Sequence, residues 1–280
     1  MARIFLIFIM AFVALHAFGS TANAADRAEI MLMPTRVALA QNERSATVQL
    51  KNTGTATGAF SVKLVDMTMN EDGTVTPVKD GEVEPFSAIP YLHVSPKSVT
   101  VKPGEVQAIR LLQKRNVSLE PGEYRAHLRV KMENDNVEGT RVSTSDQTEN
   151  TTISIKANLV LIIPVIFRVG ETDYKVSIEE PRLVRTSAGQ TKLDLTLVRE
   201  GNRSSMGDFS VSYKKPGEEL KLLTFYPGIP VYRPTPSRHV SIPLDIPEGV
   251  SLSEGTLEIT YTAQEQEGGD ILAQTSLPLN

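Results

Sequence analysis

Residues 124–132 read YRAHLRVKM. Tyr124, Ala126, Leu128, Val130 and Met132 share one face of an extended chain, and Arg125, His127, Arg129 and Lys131 share the other, because successive side chains of a strand point to opposite sides. This pattern predicts a β-strand with one face in the core and one in water, and it puts His127 among the solvated side chains. The same grammar extends in both directions. Ala46–Asn52 alternates and Asn52-Thr53-Gly54 turns the chain, and Ala59–Val65 resumes a strand. Glu71-Asp72-Gly73 and Lys79-Asp80-Gly81 flank a short strand or hairpin arm at Thr74–Val78. Lys102-Pro103-Gly104-Glu105 separates Val99–Val101 from Gln107–Leu112. Gly, Pro, Asn and Asp supply these turns because they tolerate or pre-set the backbone angles required.

Beyond residue 132 comes MENDNVEGTRVSTSDQTENT, a polar stretch without periodicity, and then ISIKANLVLIIPVIFRVG at 153–170. Loops of about twenty residues inside a compact domain are commonly functional or disordered. In the strand that follows, Ile153, Ile155, Ala157, Leu159, Leu161 and Ile163 fall on one face, and Ser154, Lys156 and Asn158 begin the other. From Val160 onward both faces are apolar. An ordinary core strand accounts for 159–167. It accounts less well for 153–157, which would lengthen the strand beyond the usual range. The functional reading is an edge that offers alternating apolar residues to an incomplete sheet of another protein.

A second strand series follows at Lys175–Ile178, Lys192–Val198, Phe209–Tyr213, Leu220–Phe225, His239–Leu244, Thr256–Thr262 and Ile271–Leu279. Helix signals are nearly absent. The expected fold is therefore all-β, two immunoglobulin-like sandwiches split near residue 170. The domains expected are 25–169 and 170–280, preceded by a signal peptide at 1–24. That last expectation rests on Arg3, a continuous apolar run, and the small-residue pattern Ala22-Asn23-Ala24. It implies export. The apolar run at Leu159–Phe167 is too short for a helical membrane span and contains Pro164, so the mature chain is not expected to be membrane-embedded.

The 280-residue chain has no cysteine, so its stability must come from burial rather than from disulfides or zinc–thiolate sites. A net charge of -4 argues against nucleic-acid binding. The four histidines have no spacing that would place two on one metal, no Gly-Xaa-Ser-Xaa-Gly elbow or phosphate loop is present, and the acidic pairs lie in turns. Neither catalysis nor a metal nor a cofactor is expected.

Several segments together resemble a known family. They are Met33-Pro34-Thr35-Arg36-Val37, Glu43 to Gly54 (ERSATVQLKNTG), Val94 to Glu105 (VSPKSVTVKPGE) and Pro121-Gly122-Glu123-Tyr124-Arg125. In this order they resemble the periplasmic chaperones of the chaperone–usher pathway, which assemble pili and fimbriae. The resemblance runs from about Ala28 to Arg168 and is weaker beyond. It implies two immunoglobulin-like domains set as a boomerang around a cleft, a periplasmic location, and two partners, a pilus or fimbrial subunit and an outer-membrane usher. The strand at 153–168 would be the donor strand that completes the subunit's fold, with Ile153, Ile155, Ala157 and Leu159 as donor residues and Leu161 kept at home. Arg36 would hold the subunit's C-terminal carboxylate, and Arg168 would serve a structural role between the domains. Many members carry a lysine four residues before the terminal arginine as a second anchor. Pro164 stands there, and Ile163 to Arg168 (IPVIFR) resembles the archaic-type branch. An exposed apolar edge also predicts shielding or reversible self-association of the free protein. Two other readings are an immunoglobulin-like structural component of a surface or pilus, and a chaperone fold with a non-pilin client.

Overall fold

A computed structural model describes residues 27–79, 81–114, 118–133 and 159–279. The expected signal segment lies outside them, as do Ile153, Ile155 and Ala157 and most of the polar stretch before them. The first half contains β1 (Ile30–Met33), β2 (Val37–Ala40), β3 (Ser45–Asn52), β4 (Gly58–Val65), β5 (Met67–Met69), β6 (Val75–Pro77), β7 (Leu92–Ser95), β8 (Ser98–Val101), β9 (Val106–Gln113), β10 (Gly122–Met132) and β11 (Val160–Val169). One sheet has the order β1-β3-β9-β7 and the other β2-β11-β10-β4-β8. All pairings are antiparallel except β2 with β11, which run parallel from Val37↔Val165 to Ala40↔Arg168. Consecutive β1 and β2 therefore edge different sheets, and the chain crosses between them at Pro34-Thr35-Arg36.

The second half contains β12 (Tyr174–Arg185), β13 (Thr191–Gly201), β14 (Ser205–Lys214), β15 (Lys221–Val231), β16 (Ser237–Pro243), β17 (Gly255–Ala263) and β18 (Ile271–Leu279). Its sheets have the orders β12-β13-β16 and β15-β14-β17-β18. Each half is a sandwich, and each has its own core. Val48, Leu50, Phe60, Leu128, Val165 and Phe167 are central to the first, and Leu193, Leu197, Phe209, Val211, Ile259 and Tyr261 to the second. The period-two pattern explains why. In β13, Leu193, Leu195 and Leu197 turn inward while Asp194 and Thr196 turn out, so one strand supplies both a core row and a polar row. Among the described residues no helix is long and apolar enough to cross a membrane.

The face of β10 that the alternation assigned to water is a correction. Arg125 and His127 are each only 4% exposed. Met67 of the hairpin made by β5 and β6, and Tyr232 of the second half, meet this face at Arg125. The Arg125 Nη2 donates to the Met67 carbonyl at 3.0 Å, and its guanidinium lies 4.3 Å from the centre of the Tyr232 ring. Only Arg129 and Lys131 keep partial exposure. Alternation reports that a residue faces away from its own core; it carries no record of what a distant segment lays on top.

The same hairpin fastens the two halves. The Thr235 hydroxyl donates to the Met69 carbonyl at 2.8 Å, the His239 N–H to the Glu71 carbonyl at 2.6 Å, and the Tyr232 N–H reaches the Met69 sulfur at 3.5 Å. Gly73 turns the hairpin at φ +82°, in the left-handed region, with the Arg238 guanidinium where a Cβ would stand. A side chain there would be strained by its backbone and would displace Arg238.

Candidate functional site

β11 has two unequal edges. Along β10 it is paired from Val160 to Val169. On its other side β2 covers only Val165 to Arg168. Among the described residues, nothing pairs with that side of Val160–Pro164. Pro164 has no N–H to leave unmatched there, which suits a residue at the boundary of an open edge. Leu159 and Leu161 pack partly against the first core, Ile163 is buried in it, and Ile162 on the opposite face is 38% exposed. β1, at the edge of the companion sheet, adds exposed Met31 and Met33. An apolar strand with an open backbone edge is what β-strand addition requires, because hydrogen bonds supply register and alternate side chains supply pockets or knobs.

Of the sequence-expected donor residues, only Leu159 is among the described residues, just before the first paired residue of β11. Its carbonyl accepts a hydrogen bond from the Met132 N–H at 2.9 Å, which ties the open end of β11 to the end of β10.

Arg36 and Arg168 meet at one carboxylate. Glu267 lies on a single 3-10 turn, Glu265–Glu267, between β17 and β18. One of its oxygens is 2.7 Å from Arg36 Nη2 and 2.9 Å from Arg168 Nη2. The other takes a hydrogen bond from Arg203. Arg168 also donates through Nε to Glu123 at 3.1 Å, and Glu123 accepts the Ser204 N–H at 3.4 Å. The first half contributes Arg36, Glu123 and Arg168, and the second contributes Arg203, Ser204 and Glu267. Burial alone would raise the Glu267 pKa, but the Arg168, Arg36 and Arg203 guanidiniums outweigh it and hold the carboxyl at about 2. It is ionised at any pH the folded protein would ordinarily meet.

Arg36 is bound differently from its neighbours. Arg168 and Arg203 make hydrogen bonds to Glu267, whereas the Arg36 contact is an ion pair without hydrogen-bond geometry; the Nε atoms of Arg36 and Arg203 are both buried without a partner among the described residues. Beside it opens a cavity of about 270 Å³ lined by Pro34, Thr35, Arg36, Ala38, Arg168, Gln266 and Glu267. A guanidinium with unused donors suits a carboxylate, which it can grip through two parallel N–H bonds. Among the described residues no three His, Asp or Glu side chains are grouped to hold a metal.

Sequence reasoning missed Glu267, Arg203 and the contacts of Glu123. Glu123 stood within the Pro-Gly-Glu-Tyr-Arg segment and could have been flagged from it. Glu267 sits in Gln264 to Gly269 (QEQEGG), which reads as a solvated turn, and nothing local distinguishes it from Glu265.

No protein-family model and no curated protein matches the sequence. The solved structures it resembles include several chaperones. The CupB2 chaperone of Pseudomonas aeruginosa is 12% identical, with 89% of this chain and 100% of that chain covered and a TM-score of 0.42. The CsuC–CsuE chaperone–tip subunit complex from the archaic chaperone–usher Csu pili of Acinetobacter baumannii is 13% identical over 90% of this chain and 98% of that one, with a TM-score of 0.44. The SafB chaperone with SafA pilin of Salmonella enterica gives 14% identity, 91% and 99% coverage, and a TM-score of 0.43.

Proposed function

We propose that this chain is a non-catalytic periplasmic chaperone that stabilises a pilus or fimbrial subunit by donor-strand complementation and passes it to an outer-membrane usher. The observation that carries the reading is the edge of β11 at Val160–Pro164, unpaired among the described residues, which continues, through Leu159, the alternating apolar row begun at Ile153. Donor residues Ile153, Ile155, Ala157 and Leu159 would fill the groove of a subunit that lacks a strand, and Arg36 would hold its terminal carboxylate. Burying one Ile or Leu side chain is worth about 1.5–3 kcal/mol. Three such anchors supply several kcal/mol before ordering and association are subtracted, which suits a complex that must form and later exchange. Export through the segment at 1–24 belongs to the same reading, as does reversible self-association of an unoccupied edge.

The test is a periplasmic pull-down with tagged wild type and an Ile155→Asp, Leu159→Asp double variant, both checked for folding by circular dichroism. The expected result is a small co-purifying subunit with wild type and at least a tenfold loss with the folded variant. Equal capture by both would overturn the donor-strand reading.

A further inference from the structure

Glu267 occupies the position at Arg36 that an incoming carboxylate would seek. Three guanidiniums, from Arg36, Arg168 and Arg203, meet only two carboxylates, those of Glu123 and Glu267. Arg233 adds further positive charge, its Nη1 donating to the Glu123 carbonyl at 3.3 Å. Positive charge therefore exceeds negative at the cleft even with Glu267 in place. Arg36 and Arg168 both line the cavity at Pro34–Arg36, where that excess meets solvent. Arg203 does not line that cavity, and Glu267 does.

From this we infer that Glu267 is a built-in counter-ion that sets how tightly the Arg36 cavity holds a peptide's terminal carboxylate, and that Arg203 and Arg168 supply the remaining positive charge that the cavity needs. The inference rests on the proposal that Arg36 receives such a carboxylate, and it adds what regulates that contact. The chemistry is electrostatic. Without a resident anion, three clustered guanidiniums in a half-buried cleft would bind any anion strongly, because partly buried charges are weakly screened. Glu267 neutralises part of that field while its own carboxylate is fixed by hydrogen bonds from Arg168 and Arg203. Arg36, held only by the ion pair, keeps its donors for the incoming group and is shared between two carboxylates rather than taken from one. The consequence is a contact that recognises a carboxylate yet releases it, as a handover requires.

The probe is N-acetyl-glycyl-glycine as the free acid, with its C-terminal amide as control, titrated into the full mature chain while the arginine Nε–H resonances are followed by NMR. In wild type the acid shifts the Arg36 resonance and the amide does not. Glu267→Gln removes the charge while keeping the side chain's size and one acceptor oxygen for the arginines, and it should bind the acid at least threefold more tightly. Arg203→Gln, which alters the field from outside the cavity, should weaken binding at least threefold, and it remains informative if Glu267→Gln does not fold. Unchanged or weaker binding by folded Glu267→Gln would overturn the counter-ion role, as would unchanged binding by Arg203→Gln. Failure of the acid to shift Arg36 in both wild type and Glu267→Gln would remove the Arg36 anchor itself. The pull-down on the β11 variants is independent of both results, so loss of the counter-ion role and loss of the donor strand are separable.

Discussion

At the scale of single residues, His127 and Glu267 show how burial and neighbouring charge place two acid-driven losses of stability in different pH windows. Burial, with the adjacent Arg125 adding to it, pushes the His127 pKa from 6.5 down to about 3. Folded protein then carries a neutral imidazole with Nδ1 unpartnered, whereas the unfolded chain takes up a proton below about pH 6.5. Stability must fall as pH drops through 6.5 and keep falling toward 3. Between pH 7.5 and 5 this amounts to about 2 kcal/mol, at 1.36 kcal/mol per unit of pKa difference. Urea denaturation at a series of pH values should show that decline in wild type and lose most of it in His127→Leu; an identical decline in both would assign it elsewhere. Glu267 does not confuse the measurement. Its depressed pKa contributes stability that is present above about 4.5 and is lost only as pH falls toward 2.

At the scale of elements, β11 is divided along its length. Phe167 is 1% exposed, lies in the first core and stands where β10 and β2 flank the strand on both sides. Among the described residues, Ile162 stands where only β10 pairs, and it is 38% exposed. Phe167→Ala should therefore cost about 3–5 kcal/mol, the usual price of a large aromatic removed from a packed core. Ile162→Ser should cost less than about 1 kcal/mol. Chemical denaturation of the two variants checks this, and comparable losses at both positions would mean that the open half of β11 is as integral to the sandwich as its closed half. A strand that is anchored at one end and uncommitted at the other can meet a partner without unfolding its own domain.

At the scale of the molecule, two separate cores are joined by polar groups and one hairpin rather than by a shared apolar layer. Met67, Met69, Ile166 and Tyr232 are buried yet belong to neither core. The polar part of the joint is built on Glu123, whose side chain is 1% exposed, on Arg168, and on Glu267. Removing one partner of a buried ion pair leaves the other charge uncompensated, at a cost of about 3–5 kcal/mol when burial is complete. Arg168 is one-fifth exposed, so Glu123→Ala should cost somewhat less, about 2–3 kcal/mol. The loss should fall on the joint, and calorimetry should show the melting of the two halves separating into distinct transitions. A single transition merely shifted downward would mean that the hairpin alone couples them.

The sequence by itself determined the strands and the class of fold. Alternation in Ala46–Asn52, Ala59–Val65, Lys192–Val198 and Thr256–Thr262, cut by Gly, Pro, Asn and Asp, is a local property, and the strands formed where it predicts them. The run at 159–167 was legible as unusual for the same reason, since composition and parity need no partner to be read. β1, β2 and β7, each of four residues, were too short for periodicity to declare them. Only the tertiary structure decided what covers each outward face. It buried His127, buried Arg125 against Met67 of the β5–β6 hairpin and Tyr232, and brought Glu267 to Arg36 and Arg168 across more than 90 residues of chain in each case. The physical reason is that backbone periodicity states which way a side chain points, whereas the charge and burial it then meets are set by segments far away in sequence.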